Sequence, residues 1–489
     1  MVGLWELLAI LLMGLLTIYY LKLLWKYSQY PPGPFPLPFV GSLWQIGFGL
    51  SPDSFLKLSK RYGSIYTIWV AHYPIVVLSG FQAVREALIN HSEELLDRPI
   101  TRFLLDTLKR RGIAFGNGLS WKQHRRFGMA TMRNLGMGKK GMEYQIQEEA
   151  QRLVEVFAQA KGQPFEPPLH ISKAVISMIS VMSFGYQPTL EDKRFQEMIA
   201  ASDYFEKFGI SFFHALYNLF PWLMQYLPGP HKKAFACVDT GRFYVTEEMQ
   251  KHKENQNLYE PQDFIDYYLM QIEKSKNDPS STFNEENLAQ CVIDLLVAGT
   301  ETTSSTLQWA LLLMIAYPDI QGERYLNQLL LRMSTRANAN LRGDSKTPLF
   351  FLLSPVVLTS RVCLFFKLWL QDVDMPASPC HMHWPVFLSF LFFPFFKKTV
   401  VGHASWSCNG KPGKHHRNWH IDAHHGGARV CLGEQMARME IFVFFTSLVK
   451  TFKFQLPEGV KELNQTPVVG VSMHPHPYKL CAIPRNPLS

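Results

Sequence analysis

The first strong pattern in the sequence is an apolar run close to its beginning. Residues 7–25 contain one charged side chain, Lys22, in a stretch otherwise rich in leucine. About twenty apolar residues are enough for a helix to cross a bilayer. Glu6 precedes the run and Lys26 follows it, whereas a cleaved signal peptide carries its positive charge first. The pattern predicts a membrane anchor over residues 1–25, with the basic end and the residues after it in the cytosol.

A proline-rich segment follows the anchor. Five of the eight residues at 31–38 are proline, which favours an extended backbone and cannot continue a helix. The segment predicts a stiff hinge over residues 26–41 that holds the body, residues 42–489, at a fixed attitude to the membrane. A ligand for a receptor of proline-rich peptides is the alternative.

A second pattern predicts a long buried helix at residues 287–316, which Pro318 ends. Apolar residues lie on both sides of a polar interruption at residues 298–303, Ala-Gly-Thr-Glu-Thr-Thr. A buried helix gains nothing from an acid and three threonines unless they have a task, so this stretch is a candidate for chemistry, in a groove that Gly299 opens. The structural alternative is that the threonine hydroxyls bond the carbonyl four residues back and bend the helix.

Composition narrows the function classes. A chain of 489 residues with 47% hydrophobic residues can form one large enzyme domain with a sizeable core. Its seven cysteines are scattered and include no Cys-x-x-Cys, which argues against a disulfide framework and predicts a reducing compartment. The formal charge of +9 lacks the dense basic runs of a nucleic-acid binder and fits membrane lipid or an acidic protein partner better.

A glycine-flanked cysteine near the C-terminus carries the candidate chemistry. Residues 426–434 are Gly-Gly-Ala-Arg-Val-Cys-Leu-Gly-Glu, and an apolar stretch with helical spacing follows them. Gly427 and Gly433 let the backbone bend tightly and approach a flat partner. Cys431 is expected at a helix N-terminus, where exposed N–H groups favour a thiolate that can bind a metal. A small buried hydrophobe is the alternative for an isolated Cys-x-Gly.

The pattern Gly-x-Arg-x-Cys-x-Gly before a helix resembles the haem-binding loop of the cytochromes P450, the haem-thiolate monooxygenases. The resemblance is to the microsomal branch that handles drugs and fatty acids. It implies a mainly helical fold with a smaller β part, Cys431 as the metal ligand of haem b, and Arg429 as a cofactor-binding residue. His424 stands where the family has an aromatic residue that shields the sulfur, and an imidazole there could compete for iron.

The same resemblance assigns roles to the polar stretch of the long helix. The acid and the alcohol, Glu301 and Thr302, would be catalytic by guiding protons to the dioxygen substrate. Ala298 and Gly299 would lie over the cofactor and help to bind it, with Phe115 and the turn near Val469 as further walls of the pocket.

An earlier segment matches the family's Trp-x-x-x-Arg, in which the arginine and the indole N–H hold a haem propionate. Trp121 and Arg125 have this spacing, on a helix that Ser120 is expected to cap. A solvated helix face is the alternative for such a pair.

Two further regions suggest partners by resemblance. Residues 205–227 are rich in aromatic and apolar side chains and resemble helices that dip into the membrane and admit lipophilic substrates, with core packing as the alternative. A basic face is expected to attract an acidic electron donor, NADPH–cytochrome reductase, with cytochrome b5 as a further candidate. An ordinary solvated surface is the alternative for this set: Lys122, Arg126, Arg133, Lys139, Lys140 and Arg438.

The resemblance covers residues 1–321 and 426–489 and is lost between them. The family's Glu-x-x-Arg helix and the strands after it are missing from residues 322–425, and the Glu-x-x-Arg at residues 149–152 lies well before the long helix, in the wrong element. Two apolar stretches, 349–370 and 385–396, stand there instead. A translated intron end is the leading hypothesis, and a real insertion with its own role is the alternative.

A metal site within that insertion is a further hypothesis. His416, His420 and His424 repeat at four-residue spacing and would share one helix face able to bind zinc or copper. Gly410 and Gly413 disfavour such a helix, and no paired cysteine spacing accompanies the histidines.

Taken together, the sequence predicts a single-pass protein of the endoplasmic reticulum membrane with a cytosolic haem-thiolate monooxygenase domain. It would oxidise lipophilic substrates, such as fatty acids, drugs and xenobiotics, with dioxygen and electrons from NADPH. The alternative is a catalytically inactive, membrane-bound haem- or metal-binding protein from an aberrant transcript.

Overall fold

The computed structural model describes eleven stretches of the chain: residues 3–37, 40–46, 52–70, 73–189, 192–254, 260–321, 386–387, 399–404, 428–460, 462–469 and 472–485. They fall into two compact units. The first comprises residues 1–101, 381–417 and 426–428, and the second comprises residues 102–380, 418–425 and 429–489. Helices far outnumber strands, which confirms the predicted mainly α class.

The first unit begins with the predicted anchor helix. Helix α1, Leu4–Tyr27, is long and apolar enough to cross a membrane, and residues 10–27 have a mean hydropathy of 1.3 with 6% of that stretch buried. Exposed apolar side chains on a helix of this length suit a lipid environment. Three helices and two strands complete the unit's N-terminal part: α2 (Leu43–Ile46), α3 (Pro52–Tyr62), β1 (Ile65–Val70), β2 (Tyr73–Ser79) and α4 (Phe81–Asn90).

A four-stranded sheet with the order β1-β2-β4-β3 organises this unit. Strands β3 (Val386–Phe387) and β4 (Thr399–Ala404) come from residues 322–425, the segment in which the sequence lacks the family's strands, and two strands nevertheless form there. Strand β4 pairs with β2 in parallel, whereas β2 pairs with β1 and β4 with β3 in antiparallel fashion. The β-branched run Thr-Val-Val that opens β4 explains its extended backbone.

The second unit consists of helices and two pairs of short strands. Strand β5 pairs with β8 and β6 pairs with β7, both antiparallel. The helices are α5 (Arg102–Leu108), α6 (Gly118–Asn134), α7 (Lys140–Gln159), α8 (Pro167–Phe184), α9 (Lys193–Gly209), α10 (Phe212–Leu219), α11 (Pro221–Met224), α12 (Pro230–Glu254), α13 (Phe264–Lys274), α14 (Glu285–Ala316) and α15 (Glu434–Thr451). The strands are β5 (Phe452–Gln455), β6 (Pro467–Val469), β7 (Met473–Pro475) and β8 (Cys481–Pro484).

Helix α14 is the central element of the second unit, and it confirms the long helix predicted at residues 287–316. The side chain of Asn284 caps it by accepting a hydrogen bond of 2.9 Å from the N–H of Asn287. Its last helical residue is Ala316, two positions before Pro318. Helices α8, α12 and α15 pack around it.

One glutamine joins the end of α14 to the C-terminal strands. The side chain of Gln321 donates to the carbonyls of Met314 and Phe454 at 2.8 and 2.9 Å and accepts from the Phe454 N–H at 2.7 Å. Arg485 Nη2 donates to the Gln321 carbonyl at 2.9 Å. Gln321 is 2% exposed, so these bonds form in a dry environment where unmade bonds would be costly.

Candidate active site

Cys431 lies in a turn that leads directly into helix α15. The helix begins at Glu434 with Gly433 as its N-cap, so the cysteine lies two residues before the cap, next to the helix N-terminus at which the sequence predicted it. The backbone N–H of Gly433 donates a hydrogen bond to the sulfur. Gly426, Gly427 and His424 lie outside the described residues.

Opposing effects act on the Cys431 thiol. One side of the residue is exposed, while protein surrounds the rest, and this burial raises the pKa of the thiol. The Gly433 N–H and the positive charges of Arg125 and Arg438 lower the pKa, whereas Glu434 raises it. The Gly433 N–H and the two nearby guanidinium groups therefore favour the thiolate when an electrophilic group, rather than water, contacts the sulfur.

The Trp121 ring brings two arginines together. It is 4% exposed, and the guanidinium carbons of Arg429 and Arg125 lie 4.1 and 5.8 Å from the ring centroid. Arg125 also donates to the carbonyl of Val430, next to the cysteine, and burial lowers the pKa of its guanidinium. Helix α6 and the cysteine turn thus place two cations beside one aromatic ring, and one of them, Arg125, acts on the Cys431 thiol.

The start of helix α6 differs from the prediction. Asn117, not Ser120, is the N-cap residue, so the predicted cap was wrong. The Asn117 side chain makes no capping bond, because its Oδ1 accepts from Arg429 Nη2 at 2.9 Å, and the same nitrogen donates to the Gly116 carbonyl at 2.7 Å. The loop before α6 is therefore shaped to hold Arg429.

The middle of α14 is open, although the helix is buried on both sides of it. Ala298 is exposed, and residues 299–302 are partly exposed, whereas residues 303–315 are all buried. The open stretch coincides with the polar interruption that the sequence singled out. The structure describes Phe115 as partly buried, and the side chain of Val469 lies outside the described residues.

Gly299 has a packing role in this structure. A Cβ at this position would lie 3.1 Å from Cγ1 of Ile179 on α8, so the missing side chain lets α8 approach α14 closely. The sequence pattern predicts that Gly299 opens a groove. In the described residues, the open part of the helix is instead at the exposed Ala298. Contact between Gly299 and the cofactor stays a prediction.

The two predicted catalytic side chains point to different partners. Thr302 Oγ1 donates to the Ala298 carbonyl at 2.8 Å, which is the contact of the helix-bending alternative. Glu301 Oε1 lies 3.0 Å from Nδ1 of His474 on β7, and both side chains are 29% exposed. Sequence reasoning missed His474, because nothing local relates this residue to an acid on α14.

The residues of the predicted basic face differ in their exposure. Four of its members are exposed: Lys122, Arg126, Arg133 and Lys139. Arg438 does not belong to it, because this side chain is 4% exposed and pairs with Glu434 one turn earlier on α15. The side chain of Lys140 and the histidines at 416 and 420 lie outside the described residues.

Comparison with known proteins gives consistent matches. The family model for cytochrome P450 matches residues 31–327 and 426–482. Cytochrome P450 2J2 of Homo sapiens is 33% identical over 470 residues, which cover 94% of this chain and 92% of the relative. Cytochrome P450 2C23 of Rattus norvegicus is 34% identical over 471 residues, covering 94% of both chains. Cytochrome P450 2C29 of Mus musculus is 34% identical over 477 residues, covering 94% of this chain and 96% of the relative.

Proposed function

This chain belongs to the cytochrome P450 family, a family of haem-thiolate monooxygenases, and we propose that it oxidises lipophilic substrates at the endoplasmic reticulum membrane. The substrates would be fatty acids, drugs and other xenobiotics, and the electrons would come from NADPH. The observation that carries the proposal is that Arg125, whose charge acts on the Cys431 thiol, meets Arg429 at the Trp121 ring.

The residues present fit a haem. Haem b offers an iron that accepts a thiolate and two propionates that accept hydrogen bonds from guanidinium groups. Cys431 would hold the iron, with its sulfur steadied by the Gly433 N–H. Arg125 and Arg429 are the donors suited to propionates, and Trp121 keeps their guanidinium groups close together.

The haem, when bound, supplies the dioxygen chemistry that inserts one oxygen atom into a C–H or C=C bond. The chain's own residues supply protons and positioning. Thr302 uses its hydrogen in the bond to the Ala298 carbonyl, which leaves the lone pairs of its oxygen able to accept from water. Glu301 is the ionisable group next to it, and His474 fixes the direction of its carboxylate.

Membrane attachment and lipophilic substrates are supported by exposed apolar side chains outside α1. Core packing explains Phe208, Tyr217 and Met224, which are buried. It does not explain the exposed members of the same region: Phe212, Phe213, Leu219, Phe220, Trp222, Leu223, Tyr226 and Leu227. A patch of this kind suits contact with lipid and entry of apolar molecules. With α1 as the membrane span among the described residues, the catalytic body would lie in the cytosol.

The exposed cations on and after helix α6 support an acidic electron donor. Lys122 and Arg126 lie on the same helix as Trp121 and Arg125, on its solvent side. A cluster of exposed positive charge steers negatively charged partners during association. NADPH–cytochrome reductase is the proposed donor, and cytochrome b5 is a second.

The alternative function, an inactive haem- or metal-binding membrane protein, is favoured by one observation. The family match ends at residue 327 and resumes at residue 426, so a part of the family's sequence has no counterpart here. The proposed function requires Cys431 as the iron ligand and predicts turnover of substrate. The alternative allows a competing ligand and predicts no turnover.

The test is the spectrum of the reduced protein with carbon monoxide. Thiolate ligation gives a red-shifted Soret band, and Cys431→Ser should abolish it while Cys237→Ser, at a partly exposed position on α12, should leave it unchanged. A band that survives Cys431→Ser would contradict the ligand assignment. A histidine-type spectrum in the unaltered chain would favour the alternative.

A further inference from the structure

The end of helix α12 and the start of helix α13 bring one histidine and two aspartates together. One ligand atom from each of His252, Asp263 and Asp266 lies within 4.8 Å of the other two. The side chains of His252 and Asp263 are 12% and 4% exposed, and Asp266 is partly buried. Imidazole and carboxylate groups bind zinc in proteins. The three side chains therefore have the chemistry of a metal site, and the function proposed above uses none of them.

The imidazole of His252 is oriented by a hydrogen bond to a group outside this set. Its Nδ1 lies 2.8 Å from the carbonyl oxygen of Glu248, one turn earlier on α12. A carbonyl oxygen can only accept, so Nδ1 carries the hydrogen. Metal-binding histidines commonly donate their other ring N–H in this way.

The second ring nitrogen of His252 faces a carboxylate oxygen. Its Nε2 lies 2.8 Å from Oδ2 of Asp263. Because Nδ1 already carries a hydrogen and an ionised carboxylate has none to donate, a positive charge is needed between these two atoms. Either a second proton on the ring or a metal ion meets this need.

The residue that caps the C-terminal end of helix α8 leaves space beside the same oxygen. Gly185 has a φ of 76°, and a Cβ at this position would lie 2.8 Å from Oδ2 of Asp263. Any other residue would be strained in this conformation and would crowd the oxygen that faces His252. The glycine thus keeps open the space that an ion would need.

A cavity of about 540 Å³ adjoins the three side chains and gives an ion and water access to them. His252 and Asp266 line it, together with Glu248 and Glu260. Lys251 also lines it, and its ammonium group donates to Glu248 at 2.6 Å. Carboxylates thus outnumber ammonium groups among the lining residues, which favours entry of a divalent cation.

We propose that His252, Asp263 and Asp266 bind a zinc ion, with a water molecule from the cavity as the fourth ligand. Zinc bonds to nitrogen and oxygen of about 2.0–2.2 Å in a tetrahedron separate neighbouring ligand atoms by about 3.4 Å. The 2.8 Å contact between His252 and Asp263 widens to this distance, and the Asp266 carboxylate closes in. The ion takes the place of the proton on Nε2, which passes to the buffer. Magnesium and calcium fit less well, because they prefer oxygen ligands alone.

Zinc titration of the full chain in lipid nanodiscs, after treatment with a chelator and in competition with a chromophoric chelator, tests the proposal. The unaltered chain should bind one more zinc ion than His252→Gln, and Asp266→Asn should bind this additional ion less tightly. Zinc should also raise the urea midpoint of the unaltered chain more than that of His252→Gln, because a ligand that binds only the folded chain stabilises it. His91→Gln is the matched control and should change nothing, since it removes an exposed histidine whose Nδ1 lies 3.9 Å from Glu94.

A second ligand type guards against loss of folding. His252→Cys offers a thiolate, so it should keep the additional zinc ion, which a misfolded chain would not do. In a Cys431→Ser background, cobalt(II) should give a thiolate-to-cobalt charge-transfer band with His252→Cys that His252→Gln lacks. Equal zinc binding by the unaltered chain and His252→Gln, or no such band, would overturn the assignment and leave an ion pair beside a helix cap. The carbon monoxide spectrum does not enter this test, so the site and the proposed function stand or fall separately.

Discussion

The carboxylate of Glu301 on helix α14 lies 3.0 Å from Nδ1 of His474 on strand β7. The acid that adjoins Thr302 is thereby held by the C-terminal β hairpin and not by its own helix. Ser472 Oγ lies 3.0 Å from the other ring nitrogen of His474, which restricts the imidazole further. The direction of the acid in the open stretch of α14 thus depends on a residue far away in the sequence.

Replacing His474 by Asn should lower the product formed per NADPH consumed. The carboxylate would lose its partner and swing away from Thr302, and we expect a loss of about tenfold, which corresponds to about 1.4 kcal/mol. His476→Asn, two residues further along, is the control and should stay close to the unaltered chain. Haem content should not change in either variant, and unchanged coupling in His474→Asn would show that Glu301 acts without it.

Thr302→Ala should separate electron consumption from product formation. Its hydroxyl oxygen is proposed to accept a hydrogen bond from water beside Glu301 and so to guide protons, and without it NADPH oxidation should continue while product falls and peroxide is released. Thr300→Ala is a matched control, because Thr300 Oγ1 makes the same kind of bond, 2.7 Å to the Leu296 carbonyl. Retention of tight coupling in Thr302→Ala would mean that the threonine only shapes the helix.

Arg125→Gln should weaken haem retention. Losing a charge-assisted hydrogen bond costs about 1.5–3 kcal/mol, so we expect haem to transfer to apomyoglobin roughly ten to a hundred times faster. Arg126→Gln, an exposed neighbour on the same helix, should leave the transfer rate unchanged. Equal rates for the two variants would exclude Arg125 as a propionate ligand.

A pH-dependent contribution to stability is expected from His252. Burial lowers the pKa of this histidine, but the hydrogen bond and charge of Asp263, 2.8 Å away, together with the Glu248 carbonyl, raise it from 6.5 to about 9. The folded pKa is higher than the unfolded one, so the stabilisation is complete below pH 6.5 and is lost as the pH rises through 9.

The shifted pKa of His252 contributes at most about 3 kcal/mol to the free energy of unfolding. Urea midpoints of the full chain should fall between pH 6 and pH 9, and His252→Gln should flatten that fall. His91→Gln, at an exposed position, should keep the slope of the unaltered chain. An unchanged slope in His252→Gln would show that the pair with Asp263 does not control stability in this range.

The segment without a family match gives a prediction about haem content. The chain as written should bind less haem per protein than a version in which residues 322–425 are replaced by the corresponding residues of cytochrome P450 2J2. The reason is that the sequence lacks the Glu-x-x-Arg ion pair that supports the haem side of the family's core. Absorbance of haem relative to protein measures this ratio. Stoichiometric haem in the unaltered chain would contradict the prediction, and the replacement version offers a second background for the variants above.

Local patterns made much of this fold predictable. The apolar run and the interrupted helix around Ala298 depend on residues close together in the sequence, so composition and spacing were sufficient. The cap of α6 was wrongly assigned to Ser120, because the choice of Asn117 depends on a contact with Arg429 from the other end of the chain. Local signals do not contain such a contact.

Two contacts of charged residues show the same limit of prediction from local sequence. Arg438 was expected at the surface, yet its spacing from Glu434 already allowed an ion pair on one helix face, and the structure buries that pair. The approach of His474 to Glu301 had no comparable signal. Tertiary packing alone brings β7 to α14, and hydrophobic periodicity does not specify which polar residues meet there.

The hydrogen bonds of Gln321 have a consequence for chain entropy. They fasten the polypeptide at the point where the family-like sequence is about to end, whatever residues come next. Closing a flexible connection costs only about 0.6 kcal/mol more for each doubling of its length. The contact between the end of α14 and β5 therefore uses no residue between Gln321 and β5, and lengthening the sequence that follows Gln321 would weaken this contact little.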